Sequence, residues 1–155
     1  MGGATKVKKE NRQERTAGMT ITPRELDHLV LRTGNVAEMV RFYCDVLGCR
    51  PEREVDSLGL TQLRAGASLI DIVDADGEIG KMGGPAPGED GLNLDHFCIR
   101  VDPWDEGAIR AHLLVCDVDA GPTEKRYGAE GSGPSIYLND PDGNTVELKG
   151  PPAKD

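Results

Sequence analysis

LDHLVLRT at residues 26–33 returns as LDHFCIRV at residues 94–101, with Leu-Asp-His identical and an arginine four places after each histidine. Both octets alternate polar and apolar side chains, the period of a strand with one covered face. His28 and His96 stand 68 residues apart, and the segments downstream of the two histidines are also alike. After the first octet, Asn35 is placed to cap a helix that ends before Gly48. Its apolar residues Val36, Met39, Val40, Tyr43 and Val46/Leu47 recur at intervals of three and four. After the second, Asp105–Asp117 carries Ala108, Ile109, Leu113 and Cys116 on one helical face. Three strand candidates complete each half: 50–56, 60–65 and 68–74, then 122–127, 135–139 and 145–149. Asp140-Pro141-Asp142-Gly143 supplies the turn of the last hairpin. A βαβββ unit is thus written twice, and the predicted fold class is α+β, built on an internal duplication.

The 155 residues suit one domain, or two half-size units of about 60 residues that are too small to be comfortable apart. We divide them into an N-terminal arm (1–22) and one domain (23–150). The domain holds a first module (25–76) and a second (92–150). Between these, GEIGKMGGPAPGEDG at 77–91 has six glycines and two prolines, the composition of a linker or of a loop over a cleft. The first 20 residues carry five basic and two acidic side chains with no apolar periodicity, which reads as a mobile arm or as appended expression residues.

A net charge of −9 and six aromatic residues argue against a nucleic-acid partner, which requires a basic face and stacking surfaces. No apolar run reaches the ~18 residues of a membrane span, and the polar start lacks the core of a secretory signal. A cytoplasmic protein is the expectation. Its cysteines (Cys44, Cys49, Cys98 and Cys116) form no C-x-x-C pair and read as reduced, buried small hydrophobes.

Of three histidines, His28 and His96 hold the same position of the two repeats, which points to a shared site. His112, on the second helix, reads as a surface or half-buried residue. Carboxylates share the same symmetry: Asp71 lies between Ile70 and Ile72 in the last strand of module one, and Glu147 between Val146 and Leu148 in that of module two. Exposure on a polar strand face accounts for either one alone. Together with the histidines they suggest a metal-ligand set of two imidazoles and one or two carboxylates, suited to Zn, Ni, Co, Mn or Fe(II). The stretch Arg126–Pro134 reads as a glycine-rich loop, either an ordinary connection or a segment whose Arg126, with Ser132 and Ser135, contacts a substrate.

The repeat, the FYCDVLG helix end (Phe42–Gly48) and the NDPDGNTVEL finish (Asn139–Leu148) resemble the vicinal oxygen chelate superfamily of glyoxalase I, bleomycin-resistance proteins and extradiol dioxygenases. That resemblance, over about residues 25–150, implies paired modules forming a cup-shaped mixed sheet and a homodimer with its sites at the interface. It implies His28, His96 and Glu147 as metal ligands, with Asp71 where related lyases carry a glutamate. Arg32 falls where glutathione-dependent lyases bind that co-substrate. The implied activity is that of a lyase or isomerase on a small vicinal-oxygen substrate, with Glu147 moving the proton. An Fe(II) dioxygenase, a fosfomycin-type thiol transferase and a non-enzymatic drug-binding protein are the alternatives.

Overall fold

The computed structural model describes residues 21–152. The N-terminal arm, Ile21 and Thr22 apart, lies outside the described residues. The first unit comprises β1 (His28–Thr33), α1 (Val36–Arg41), β2 (Arg50–Val55), β3 (Leu60–Ala65) and β4 (Ser68–Asp74). The second comprises β5 (His96–Arg100), α2 (Glu106–Val115), β6 (Glu124–Gly128), β7 (Gly131–Asn139) and β8 (Thr145–Lys149). Each unit forms a four-stranded sheet, in the orders β1-β4-β3-β2 and β5-β8-β7-β6. First and last strands pair in parallel, and the other neighbours antiparallel, so both sheets are mixed.

Asn35 caps α1 as expected, and Asp105, expected as the first residue of the second helix, caps α2 instead; their side chains accept from the amides of Glu38 and Ala108. The first helix departs from expectation after Arg41. Residues Phe42–Val46 form a π-helical turn, closed by the Leu47 amide donating to the Phe42 carbonyl at 3.2 Å. The wider turn lets the consecutive aromatics Phe42 and Tyr43 both sink into the core. Gly48, at φ +72°, then reverses the chain in the left-handed conformation that glycine tolerates.

Side chains alternate across a strand, so each sheet has two distinct faces. Leu31, Leu63, Ile70 and Ile72 of the first unit join Leu113, Leu138, Val146 and Leu148 of the second in one apolar cluster. The strand residues among these take the opposite phase from His28, Asp71, His96 and Glu147. The sheets therefore share one core and turn their histidine-bearing faces away from it. Two contacts fix this arrangement. The Tyr43 ring stacks on Phe97 of β5 with centroids 6.3 Å apart, and its hydroxyl donates to Asp140 Oδ2 at 2.8 Å. Burial and the Asp140 carboxylate hold the Tyr43 hydroxyl far above its usual pKa, so it stays a donor.

The expected loop at 126–134 is a correction: β6 runs on to Gly128 and β7 starts at Gly131, so the stretch is a tight hairpin. Its glycines serve close contact within the chain. A Cβ on Gly128 would meet the Lys149 side chain at 2.7 Å, and one on Gly133 the Pro151 carbonyl at 2.7 Å.

Losing the buried hydroxyl in Tyr43→Phe is expected to lower stability by ~1–3 kcal/mol. Asp140→Ala should cost more, because it strands the Tyr43 hydroxyl and the Asn144 amide together. Urea unfolding checks both: the midpoint should fall at constant m-value, in that order.

Candidate functional site

On the outward face of the first sheet, ladder register sets Val30 of β1 and Gln62 of β3 on either side of Asp71 in β4. Asp71 is 5% exposed, and its carboxylate is held by Gln62, whose Nε2 lies 3.1 Å from each oxygen. A buried carboxylate needs such a partner. His28 opens onto the same face, two residues from Val30, with Nδ1 2.7 Å from Asp27 Oδ1. That hydrogen bond, and after it the charge of Asp71, raises the His28 pKa above its ordinary value; desolvation opposes them in part.

The second sheet repeats the arrangement. Cys98 of β5 and Tyr137 of β7 flank Glu147 in β8, so Glu147 holds the register position that Asp71 holds in the first sheet. Ser135 Oγ donates to Glu147 Oε1 at 2.5 Å. The other oxygen, Oε2, lies 3.7 Å from His96 Nε2. His96 Nδ1 is 2.5 Å from Asp95 Oδ2. In both modules, then, the aspartate before the histidine occupies Nδ1 and leaves the Nε2 lone pair available, the usual support of a metal-binding imidazole. Around this pair the Tyr137 ring meets His96 edge-on, and the Arg126 guanidinium lies 5.9 Å over the same ring. Cys98 keeps solvent access, correcting the expectation of a buried residue. Desolvation, the charge of Glu147 and a hydrogen bond to it nevertheless push its thiol up to about 11.

The four expected ligands thus meet as two pairs, His28 with Asp71 and His96 with Glu147, and not as one set. Among the described residues no three His, Cys, Asp or Glu side chains gather to hold an ion.

Other expected site residues have different employment. Ser135 is fully buried and orients Glu147, a position that no substrate reaches. Arg126 pairs with Glu124 beside Tyr137. Arg32 spends its guanidinium on the linker, with Nε donating to the Gly80 carbonyl, Nη1 to Gly83 and Pro85, and Nη2 to Gly84. The bound linker becomes the wall of a hollow of about 490 Å³ lined by Val30, Arg32, Pro87, Leu92 and Asn93. The segment is therefore both linker and cover. His112 bridges the modules, its Nε2 lying 2.8 Å from the Val46 carbonyl oxygen. Missed at the sequence level were Asp27, Asp95 and Gln62. The two aspartates had a signal, since they belong to the identical Leu-Asp-His; nothing in the pattern marked Gln62.

Comparison with known proteins identifies the family and the fold. The family model described as Glyoxalase/Bleomycin resistance protein/Dioxygenase superfamily matches residues 25–148. A virulence protein of Salmonella typhimurium is 31% identical over 128 residues, 79% of this chain and 81% of that protein. Its crystal structure superposes with a TM-score of 0.71 at 25% identity, covering 85% of this chain and all of the other. An integron cassette protein from the mobile metagenome of V. cholerae gives a TM-score of 0.70 at 26% identity, over 85% of this chain and 98% of that one. Lactoylglutathione lyase from Agrobacterium tumefaciens shares the fold at 19% identity, with a TM-score of 0.59 over 83% and 94% of the two chains.

Arg32→Ala should release the linker, and limited proteolysis would then cut within residues 80–85 faster than in the parent while the sheets stay resistant. For Cys98, a pKa of about 11 leaves roughly one thiol in a thousand ionised at pH 8. Iodoacetamide labelling of this residue should be slow there and quicken about tenfold per pH unit up to about pH 11. Labelling at the rate of an ordinary free thiol would contradict the assigned environment.

Proposed function

Because the chain belongs to the Glyoxalase/Bleomycin resistance protein/Dioxygenase superfamily, we propose that it is a metal-dependent lyase or isomerase acting on a small substrate with two adjacent oxygens. The observation that carries this reading is the His96–Glu147 pair: a free imidazole nitrogen 3.7 Å from a carboxylate oxygen, on a buried side chain whose other oxygen is pinned by Ser135. Imidazole nitrogens with carboxylate oxygen suit Zn, Ni, Co, Mn or Fe(II).

One pair does not make a site, and a second copy of the chain supplies the rest in this reading. β1 and β5 are both edge strands of their sheets. They carry His28 and His96, and the β1 region exposes Leu26 and Val30. An open edge with apolar flanks is a surface for pairing. Docking β1 of one copy beside β5 of another sets His28 next to the partner's His96–Glu147 pair, twice per homodimer.

His28, His96 and Glu147 would hold the ion, which supplies Lewis-acid polarisation of the two substrate oxygens. Ser135 keeps Oε1 of Glu147 fixed; Oε2, the oxygen that would hold the ion, would release it to take a carbon-bound proton and return it to the neighbouring carbon. Tyr137 and Arg126 line the approach. Glutathione has no part in this reading, since the Arg32 guanidinium already serves the linker.

The purified protein should bind about one divalent ion per chain, lost in His96→Ala and in Glu147→Gln. His28→Ala and His96→Ala, each unable to load alone, should regain roughly a quarter of the parental stoichiometry when unfolded together and refolded, because half of the random dimers then own one intact site. No recovery on mixing would refute the shared site, and a metal-free parent would refute the enzymatic reading altogether.

A further inference from the structure

Arginine presents its donors in a planar fork, and the edge formed by Nε and Nη2 matches two oxygens of one acceptor group. Among the described residues four arginines are half-buried: Arg32, Arg64, Arg100 and Arg110. In three of them that edge is filled. Arg32 donates from Nε to the Gly80 carbonyl and from Nη2 to that of Gly84, and Arg64 meets both oxygens of Glu52. Arg110 donates from Nε to Glu106 and from Nη2 to Gly121 and Thr123. Arg100, which repeats Arg32 in the second module, is the exception. Its Nη1 donates to Glu130, a 63% exposed side chain in the β6–β7 turn, while its Nε is buried and has no acceptor. A buried donor left unpaired is costly, and it marks a place where an acceptor is missing.

A second cation lies beside it. Lys149 is the ladder partner of Arg100 and 3% exposed, and its ammonium donates to the carbonyls of Arg126 and Gly133, with no carboxylate partner among the described residues. Module one has Val73 at that position, so the added charge belongs to this face alone. Both cations are close enough to act on the thiol of Cys98, two residues before Arg100 on the same outward face. Glu147, two residues before Lys149, is engaged by Ser135 and lies toward His96. Against Arg100 and Lys149 the protein thus sets one solvent-exposed carboxylate, bonded to a single nitrogen.

We propose that Arg100 and Lys149 form a site for the oxyanion group, carboxylate or phosphate, of a small ligand, and that Glu130 occupies this site as an internal substitute. An incoming anion displaces Glu130 from Nη1, which uncovers Nε, and two of its oxygens fill the Nε–Nη2 edge. Lys149 adds positive charge from a buried position, where the low dielectric makes it count for more. Nothing in this arrangement requires an ion at His96, so the site stands or falls apart from the metal reading.

Full-length protein freed of metal by a chelator, titrated with inorganic phosphate and separately with acetate at constant ionic strength, tests this. Each arginine Nε–H gives its own NMR signal, and the peak missing in Arg100→Lys assigns that of Arg100. At least one of the two anions should move the Arg100 signal saturably, and the tighter binder names the group. The signals of Arg32, Arg64 and Arg110 should stay in place, because their edges are filled. Glu130→Gln removes the competitor and should tighten binding by about three- to tenfold. Arg100→Lys keeps the charge but loses the fork, and should weaken binding by about tenfold or more, read at the backbone amides of residues 98–101. No saturable movement of the Arg100 signal with either anion overturns the proposal. So does an equal movement at Arg32, Arg64 and Arg110, which is the response to screening alone, and so does an affinity unchanged in Glu130→Gln.

Discussion

The Asp140 carboxylate ties this molecule together. It is 5% exposed, in the turn between β7 and β8, and accepts four hydrogen bonds: from the Tyr43 hydroxyl, the Asn144 side chain, and the backbone amides of Asp142 and Asn144. A buried carboxylate is tolerable only when so satisfied. One of the four donors comes from the other module, so the final turn folds correctly only when α1 and its π turn are docked against it. The chain of contacts continues. The Asn93 side chain lies 3.4 Å from the Asn144 side-chain oxygen and pairs with both backbone groups of Arg32, like a neighbouring strand one residue long. From Arg32 it reaches the linker carbonyls. The last turn of module two, the first helix and first strand of module one, and the segment between them are one polar network laid across a shared apolar core.

That network explains why the functional faces diverge. Tyr43 can reach Asp140 only if the helix-bearing side of module one packs against module two, and this packing points His28 and His96 outward. Neither half is then sufficient alone, and the two edge strands that carry the histidines remain open.

Much of this is legible in the sequence alone. The repeated Leu-Asp-His, the helix cap Asn35 and the strand alternation are local signals, and local signals survive in a single sequence. FYCDVLG and NDPDGN are also visible there, but as a resemblance without a cause. The structure supplies the cause, since Tyr43 of one stretch bonds Asp140 of the other. Long-range partnerships are what the sequence hides. Arg32 looks free because its acceptors are carbonyls some fifty residues on, and carbonyls have no signature. Ser135 looks like a substrate contact because nothing in its neighbourhood announces that Glu147 sits across the ladder. The stretch 126–134 looks like a loop because glycine is counted as a breaker, whereas here glycines let Lys149 and the chain at 150–152 cross closely over a hairpin.

Duplication produced two copies of one frame, and strand alternation let their outer faces drift apart without cost to the core. Leu31, Ile70 and Ile72 correspond in register to Ile99, Val146 and Leu148, apolar at every position, because both sets fill the same interior. On the opposite phase Val30 corresponds to Cys98, Gln62 to Tyr137, Val73 to Lys149 and Asp71 to Glu147. Of the outward positions, His28/His96 and Arg32/Arg100 alone are identical among those in β1 and β5. Packing does not demand a histidine at an exposed strand position twice over. The histidine on both faces, beside an aspartate that meets the same nitrogen each time, is what the two outer faces keep in common, while the residues around it differ.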